Sequence, residues 1–122
     1  MDIEKFAEEA FKRDSRIRYV GIVDRSYHVL YSKMRPGEKS IITDERDRNF
    51  FQLTPPIFIE AVEKLEPFLG KLDNVTVRYE KQLLVFFRCK TLTVVFKFNP
   101  DVSTGFISTL SGMVQSISTY LE

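Results

Sequence analysis

The 122-residue chain contains one cysteine, one histidine, no tryptophan and only five glycines. Each scarcity closes a line of function. A single thiol, Cys89, cannot form an internal disulfide framework or a multi-cysteine metal site. Gly21, Gly37, Gly70, Gly105 and Gly112 stand apart from one another, so no glycine loop is present to cradle a phosphate, which argues against a nucleotide hydrolase. Charge excess is also lacking. Lys and Arg total 18 against 17 Asp and Glu, so no long-range field draws the chain to nucleic acid or to an anionic membrane. No run reaches the roughly 18 apolar residues that a spanning helix needs. The stretch 102–121 carries no charge, but its serines and threonines make it too polar for a bilayer, and it reads as a helix covered by protein.

What is present is ordinary globular material. Apolar residues make up 43% and charged residues 29%, far from the composition of disorder. A chain of this size buries roughly two-thirds of its unfolded surface, enough for one real core, and a single domain over 1–122 is expected. The chain opens on a charged amphipathic pattern rather than an apolar export segment, so a cytoplasmic location is expected.

Ile3, Phe6, Ala7, Ala10 and Phe11 share one face of a helix, with Glu8–Lys12 and Glu9–Arg13 paired outside. Residues 17–24 and 29–32 are β-branched and aromatic around a polar turn and predict a hairpin. Residues 33–49 mix charges of both signs around Pro36-Gly37 and read as a loop leading to a helix start. Thr54 is a candidate N-cap for a long helix, with Pro55 and Pro56 in its first turn. Ile57, Phe58, Ala61, Val62, Leu65 and Leu69 form its apolar stripe, which Ile59 and Phe68 widen. Gly70 should end that helix, and Pro67 should kink or end it earlier. A stripe this broad implies more than one contact surface. Three β-rich runs follow at 75–79, 83–88 and 92–98, joined so closely that an antiparallel meander is required. Phe106, Leu110, Met113, Val114, Ile117 and Leu121 then build a last helix, whose Ser108, Gly112 and Ser116 offer a ridge of small side chains for a neighbour, expected to be the first helix.

Residues with chemical potential read better as structure. His28 sits beside the hairpin turn with no sequence-local partner in Cys89 or a serine. Cys89 lies between Arg88 and Lys90, which could activate a thiol, but no second cysteine exists to resolve it. Asp44, Glu45 and Asp47 alternate with Arg46 and Arg48 and form a self-neutralising helix start rather than a metal site. Phe86, Phe87, Phe96 and Phe98 invite base stacking, yet the glycine-aromatic motif of sheet-based RNA binders is missing and core packing is the stronger reading. No catalytic residue, cofactor or metal is assigned, and an enzyme is not expected.

The order helix, two strands, long helix, three strands, helix resembles the roadblock (dynein light chain) family and its longin-like and profilin-like relatives. The local phrases that carry the likeness are Tyr19-Val20-Gly21-Ile22-Val23-Asp24 and Val29-Leu30-Tyr31-Ser32. The resemblance implies an α+β fold, a five-stranded antiparallel sheet with the long helix on one face and the two terminal helices on the other. It also implies a homodimer in which the strand after the long helix pairs with its symmetry mate while the long helices pack together. Carried onto this chain, the dimer interface comprises Phe58, Ile59, Val62, Val75, Val77, Arg78 and Tyr79. An edge strand free of Pro and Lys favours the same pairing on physical grounds. A small Ras-like GTPase is the partner that the resemblance implies, with neither nucleic acid binding nor membrane insertion. The competing reading is a small-molecule sensor of related fold, which would require an apolar pocket of several hundred Å³, on the usual scale of ligand sites.

Overall fold

The structure is a computed structural model that describes the backbone of residues 1–122 and every side chain except those of Phe51 and Thr104. Helix α1 (Ile3–Arg13) starts at Asp2, whose carboxylate accepts the Lys5 N–H at 3.0 Å, and its polar side carries the expected Glu9–Arg13 pair at 3.2 Å. Strands β1 (Tyr19–Val23) and β2 (Val29–Met34) form the hairpin, with an irregularity in register between Ile22 and Val23. Helix α2 (Glu45–Glu63) and the short α3 (Glu66–Leu69) lead to β3 (Val75–Arg78), β4 (Leu83–Cys89) and β5 (Leu92–Phe98). Helix α4 (Ile107–Ile117) closes the chain between two 3-10 turns, Thr104–Phe106 and Ser118–Leu121. The sheet order is β2-β1-β5-β4-β3 and every neighbouring pair is antiparallel.

Side-chain alternation along the central strands divides the interior into two layers. Val20, Ile22, Leu83, Val85, Phe87, Val94, Phe96 and Phe98 face α1 and α4, where Phe6, Ala7, Ala10, Leu110, Val114 and Ile117 meet them. Phe96 stands edge-on to Phe87, with centroids 5.9 Å apart, and stacks with Phe6 at 6.5 Å. The opposite face carries Tyr19, Leu84, Phe86 and Val95 beneath α2. All four phenylalanines of β4 and β5 are therefore core residues. The ridge of small residues is only partly used: Ser108 and Gly112 face solvent, Ser116 accepts a hydrogen bond from Arg13 of α1 at 2.8 Å, and the rest of the α1–α4 contact is made by larger apolar side chains.

The charged loop is shorter than the sequence implied, and the long helix starts several residues earlier. Residues 45–49 are helical because Asp44 caps them, its carboxylate accepting the Arg46 and Asp47 N–H groups at 2.9 and 3.3 Å. Thr54 is consequently not an N-cap. It lies within α2 and returns its hydroxyl to the Phe50 carbonyl at 3.0 Å, while Pro55 and Pro56 deprive the helix interior of two donors. Pro67 has the expected effect: α2 ends at Glu63 and a new turn, α3, begins with Pro67 near its start. Gly70 stops it at φ +90°, a backbone conformation that favours glycine.

Arg35, the first residue after β2, accounts for part of the loop's charge. Its guanidinium donates to the Ile17, Phe11 and Asp14 carbonyls at 2.7, 2.9 and 2.8 Å and lies over the Phe11 ring. It thereby closes the C-terminal end of α1, where carbonyls lack intrahelical partners.

Candidate interaction surface

The row of α2 that faces the sheet is Gln52, Pro55, Ile59 and Glu63, spaced three and four apart. At its far end Arg88, on β4, holds Glu63 bidentately, with Nε 3.1 Å and Nη2 2.9 Å from the carboxylate, and also donates to Thr93 Oγ1 at 3.0 Å. Tyr27, in the hairpin turn, donates its hydroxyl to Glu60 at 2.9 Å. This fixes the rotation of α2: Glu60 faces the β2 side. At about 100° per residue, Phe58 and Val62 must then flank the opposite side, towards β3.

The apolar stripe of α2 thus lies mostly outside the core. Ile59 is fully buried, but Ile57, Phe58 and Leu65 are about half exposed, and Phe68 and Leu69 of α3 are 83% and 78% exposed. Beside this flank, β3 forms the edge of the sheet, with Val75 and Val77 half-buried against the α2 layer. The candidate interface residues separate accordingly. Phe58, Val62, Val75, Val77 and the exposed Tyr79 lie along one margin of the molecule. Ile59 is removed from it, because its side chain is spent in the core of its own subunit. Arg78 points its guanidinium to the Pro100 and Val102 carbonyls, so its side chain braces the loop before α4 while its backbone remains on the edge.

Backbone direction on β3 follows from one bond. The Tyr79 N–H donates inward to the Gln82 carbonyl at 2.7 Å, so by alternation the Val77 and Val75 N–H groups also point to β4. Thr76 and Arg78 carry the outward donors. This assignment is invisible in the sequence.

The other candidate residues fall into structural roles. His28 is exposed and its Nδ1 lies 3.1 Å from Asp24 rather than near Cys89. Cys89 is buried, and burial pushes its thiol up to about 11 despite the neighbouring Arg88. Among the described residues no cluster of His, Cys, Asp and Glu is arranged to hold a metal ion, and no helix is long and apolar enough to cross a membrane. The space between α2 and the middle of the sheet is nearly closed, about 10 Å³ where Gln52 and Pro55 approach Gly21 and Val95. The apolar cavity that a sensor of the expected type requires is therefore not present at that place.

No protein-family model matches the sequence. No curated protein matches it either. Solved structures do match in shape. A roadblock/LC7 domain from Streptomyces avermitilis superposes with a TM-score of 0.70 at 10% identity, over 99% of this chain and 98% of that one.

The chain has the roadblock/LC7 fold.

The gliding protein MglB from Thermus thermophilus superposes with a TM-score of 0.71 at 17% identity, over 97% of this chain and 84% of that one. Myxococcus xanthus MglB gives 0.69 at 16% identity, over 99% and 94%. A further MglB neighbour is described in a tetrameric arrangement. The roadblock likeness of element order and of the first hairpin is thereby matched by three-dimensional superposition over nearly the whole chain.

Proposed function

We propose that this protein is a non-enzymatic scaffold of the roadblock type, acting in the cytoplasm as a homodimer whose composite surface engages a small Ras-like GTPase. The observation that carries the reading is the continuity between the outward flank of α2, bearing Phe58 and Val62, and the open edge β3, bearing Val75 and Val77. Apolar side chains and unpaired backbone groups on one margin are what a two-fold contact uses twice. Roadblock-like domains often serve small GTPases, and the self-assembly described for one MglB neighbour is compatible with association through this fold.

Any effect on a GTPase would come from shaping the partner's own site. Replacing Phe58 by Glu should convert a dimer to monomers with the fold intact, because Phe58 is half exposed within one subunit. Thr76→Pro should do the same by removing an outward donor, whereas Val77→Pro should disturb the subunit itself. An unchanged mass for both Phe58→Glu and Thr76→Pro would sink this interface. GTPase action is tested separately, by measuring nucleotide release and hydrolysis of small Ras-like GTPases with and without the protein.

A further inference from the structure

A lysine lies inside the sheet-helix layer. Lys97 of β5 is 6% exposed, its neighbours in register are Tyr19 and Leu84, and its Nζ sits 4.2 Å from the centre of the Tyr19 ring. Above it opens a cleft of about 190 Å³ between the first turns of α2 and the end of the sheet formed by β1, β2 and β5. Unlike the closed space beneath Pro55, this cleft is lined by polar groups. Tyr19, Ser32 and Lys97 form the floor, Gln52 closes the inner wall, and Glu45 and Arg48 stand at the rim. The floor is held in place by a hydrogen-bonded chain: the Tyr19 hydroxyl meets Ser32 Oγ at 2.8 Å, and the Gln52 amide donates to the same oxygen.

We propose that this cleft binds a small monocarboxylate, held between the Lys97 ammonium on the floor and the Arg48 guanidinium at the rim.

Size and charge select the ligand. At roughly 30 Å³ per water the cleft accommodates about six waters, the volume of a short-chain carboxylate and far below that of a nucleotide or a drug-sized molecule. Lys97 and Arg48 supply two positive charges and Glu45 one negative, so the protonated cleft carries one net positive charge, which a single carboxylate neutralises. A phosphate dianion would leave an excess negative charge beside Glu45. The amide of Gln52 and the hydroxyls of Ser32 and Tyr19 offer neutral partners near the entering oxygens, and Met34 adds an apolar wall for a short alkyl tail. Burial draws the Lys97 amine down to about 8, and a bound anion would reverse that shift by stabilising the charged form. The titratable and charged groups that line the cleft with Lys97 are Tyr19 from β1 and Glu45 and Arg48 from α2.

The site is independent of the dimer reading, since the cleft lies at the β1–β2 side and the candidate interface at β3. The test is a titration of the full chain with butyrate at pH 7, followed by amide NMR, with inorganic phosphate and chloride at matched ionic strength alongside. Saturable shifts should appear at Ser32, Gln52 and Lys97. Lys97→Met should weaken binding about tenfold or more, and Arg48→Gln several-fold, as expected for loss of one charge-assisted hydrogen bond. Affinity in the unaltered protein should fall as the pH is raised from 7 to 9. Should Lys97→Met fail to fold, Arg48→Gln at the exposed rim still decides. Absence of saturation, equal affinity in the variants, or phosphate binding as tightly as butyrate would each overturn the proposal.

Discussion

The clasp between Arg88 and Glu63 should behave asymmetrically when its two halves are removed. The Arg88 side chain is 9% exposed and the Glu63 side chain 20%, so the two ions differ in their access to water once separated. Glu63→Met leaves the guanidinium enclosed, with Thr93 Oγ1, the Thr91 carbonyl and the more distant Glu60 carboxylate at 4.0 Å as its remaining partners. Breaking a buried pair in this way costs about 3–5 kcal/mol when the stranded charge has nothing else, and these partners should bring the loss to about 2–4 kcal/mol. Arg88→Met leaves Glu63 near the helix end, able to turn to solvent, and should cost only about 1–2 kcal/mol. The double variant should recover much of the difference, giving a coupling energy of about 1–3 kcal/mol. Urea unfolding at one fixed protein concentration measures all four corners of the cycle, the fixed concentration being needed because association adds to apparent stability. A larger loss for Arg88→Met than for Glu63→Met, or a coupling within about 0.5 kcal/mol of zero, would refute the view that this clasp sets the seating of α2.

Other perturbations test other parts of the two layers that flank the sheet. Lys97, lowered from 10.5 to about 8, destabilises the fold by about 3 kcal/mol below pH 8, because the folded state gives up its proton more readily than the unfolded one. The penalty is relieved as pH rises, by about 1 kcal/mol between pH 8 and 9, so the stability advantage of Lys97→Met should shrink by that amount over the same interval; a constant difference in urea midpoints would contradict it. Cys89 runs the opposite way: with its thiol raised to about 11, stability is lost as pH climbs above 9, and alanine at 89 should remove that decline. A methyl group at Gly21 would come within 2.6 Å of the Tyr19 hydroxyl and 2.8 Å of its ring, so Gly21→Ala should cost about 1–3 kcal/mol and disturb the Tyr19–Ser32 contact, read by thermal unfolding and by the Tyr19 ring resonances.

The central meander was legible because its residues speak locally. The runs around Val85 and Val95 are apolar on both faces, as strands covered on two sides must be, and the links at 79–82 and 90–91 leave room only for antiparallel returns. The start of α2 was misplaced because two valid signals competed. Thr54-Pro55-Pro56 has the chemistry of a first turn, but Asp44 offers a stronger cap upstream, and tertiary seating of Pro55 and Ile59 overrides the cost of internal prolines. The apolar stripe was recognised as too broad for one surface, yet which part faced inward depended on Tyr27–Glu60 and Arg88–Glu63, contacts separated by more than twenty residues in the chain. The assignment of Ile59 to the interface failed for that reason. The cleft around Lys97 carried no sequence signal. A lysine inside a β-branched run reads as an edge or a solvent-facing position, and only the pairing of β5 between β1 and β4 places it in the interior.

The most direct test of the scaffold reading is the solution mass by light scattering over a concentration series, for the unaltered chain and for Phe58→Glu. A chain of 14.3 kDa that keeps the mass of two copies on dilution, and falls to one copy when Phe58 becomes Glu, is the predicted result. A strict monomer at every concentration would contradict the homodimer and leave the α2–β3 margin without the occupant assigned to it.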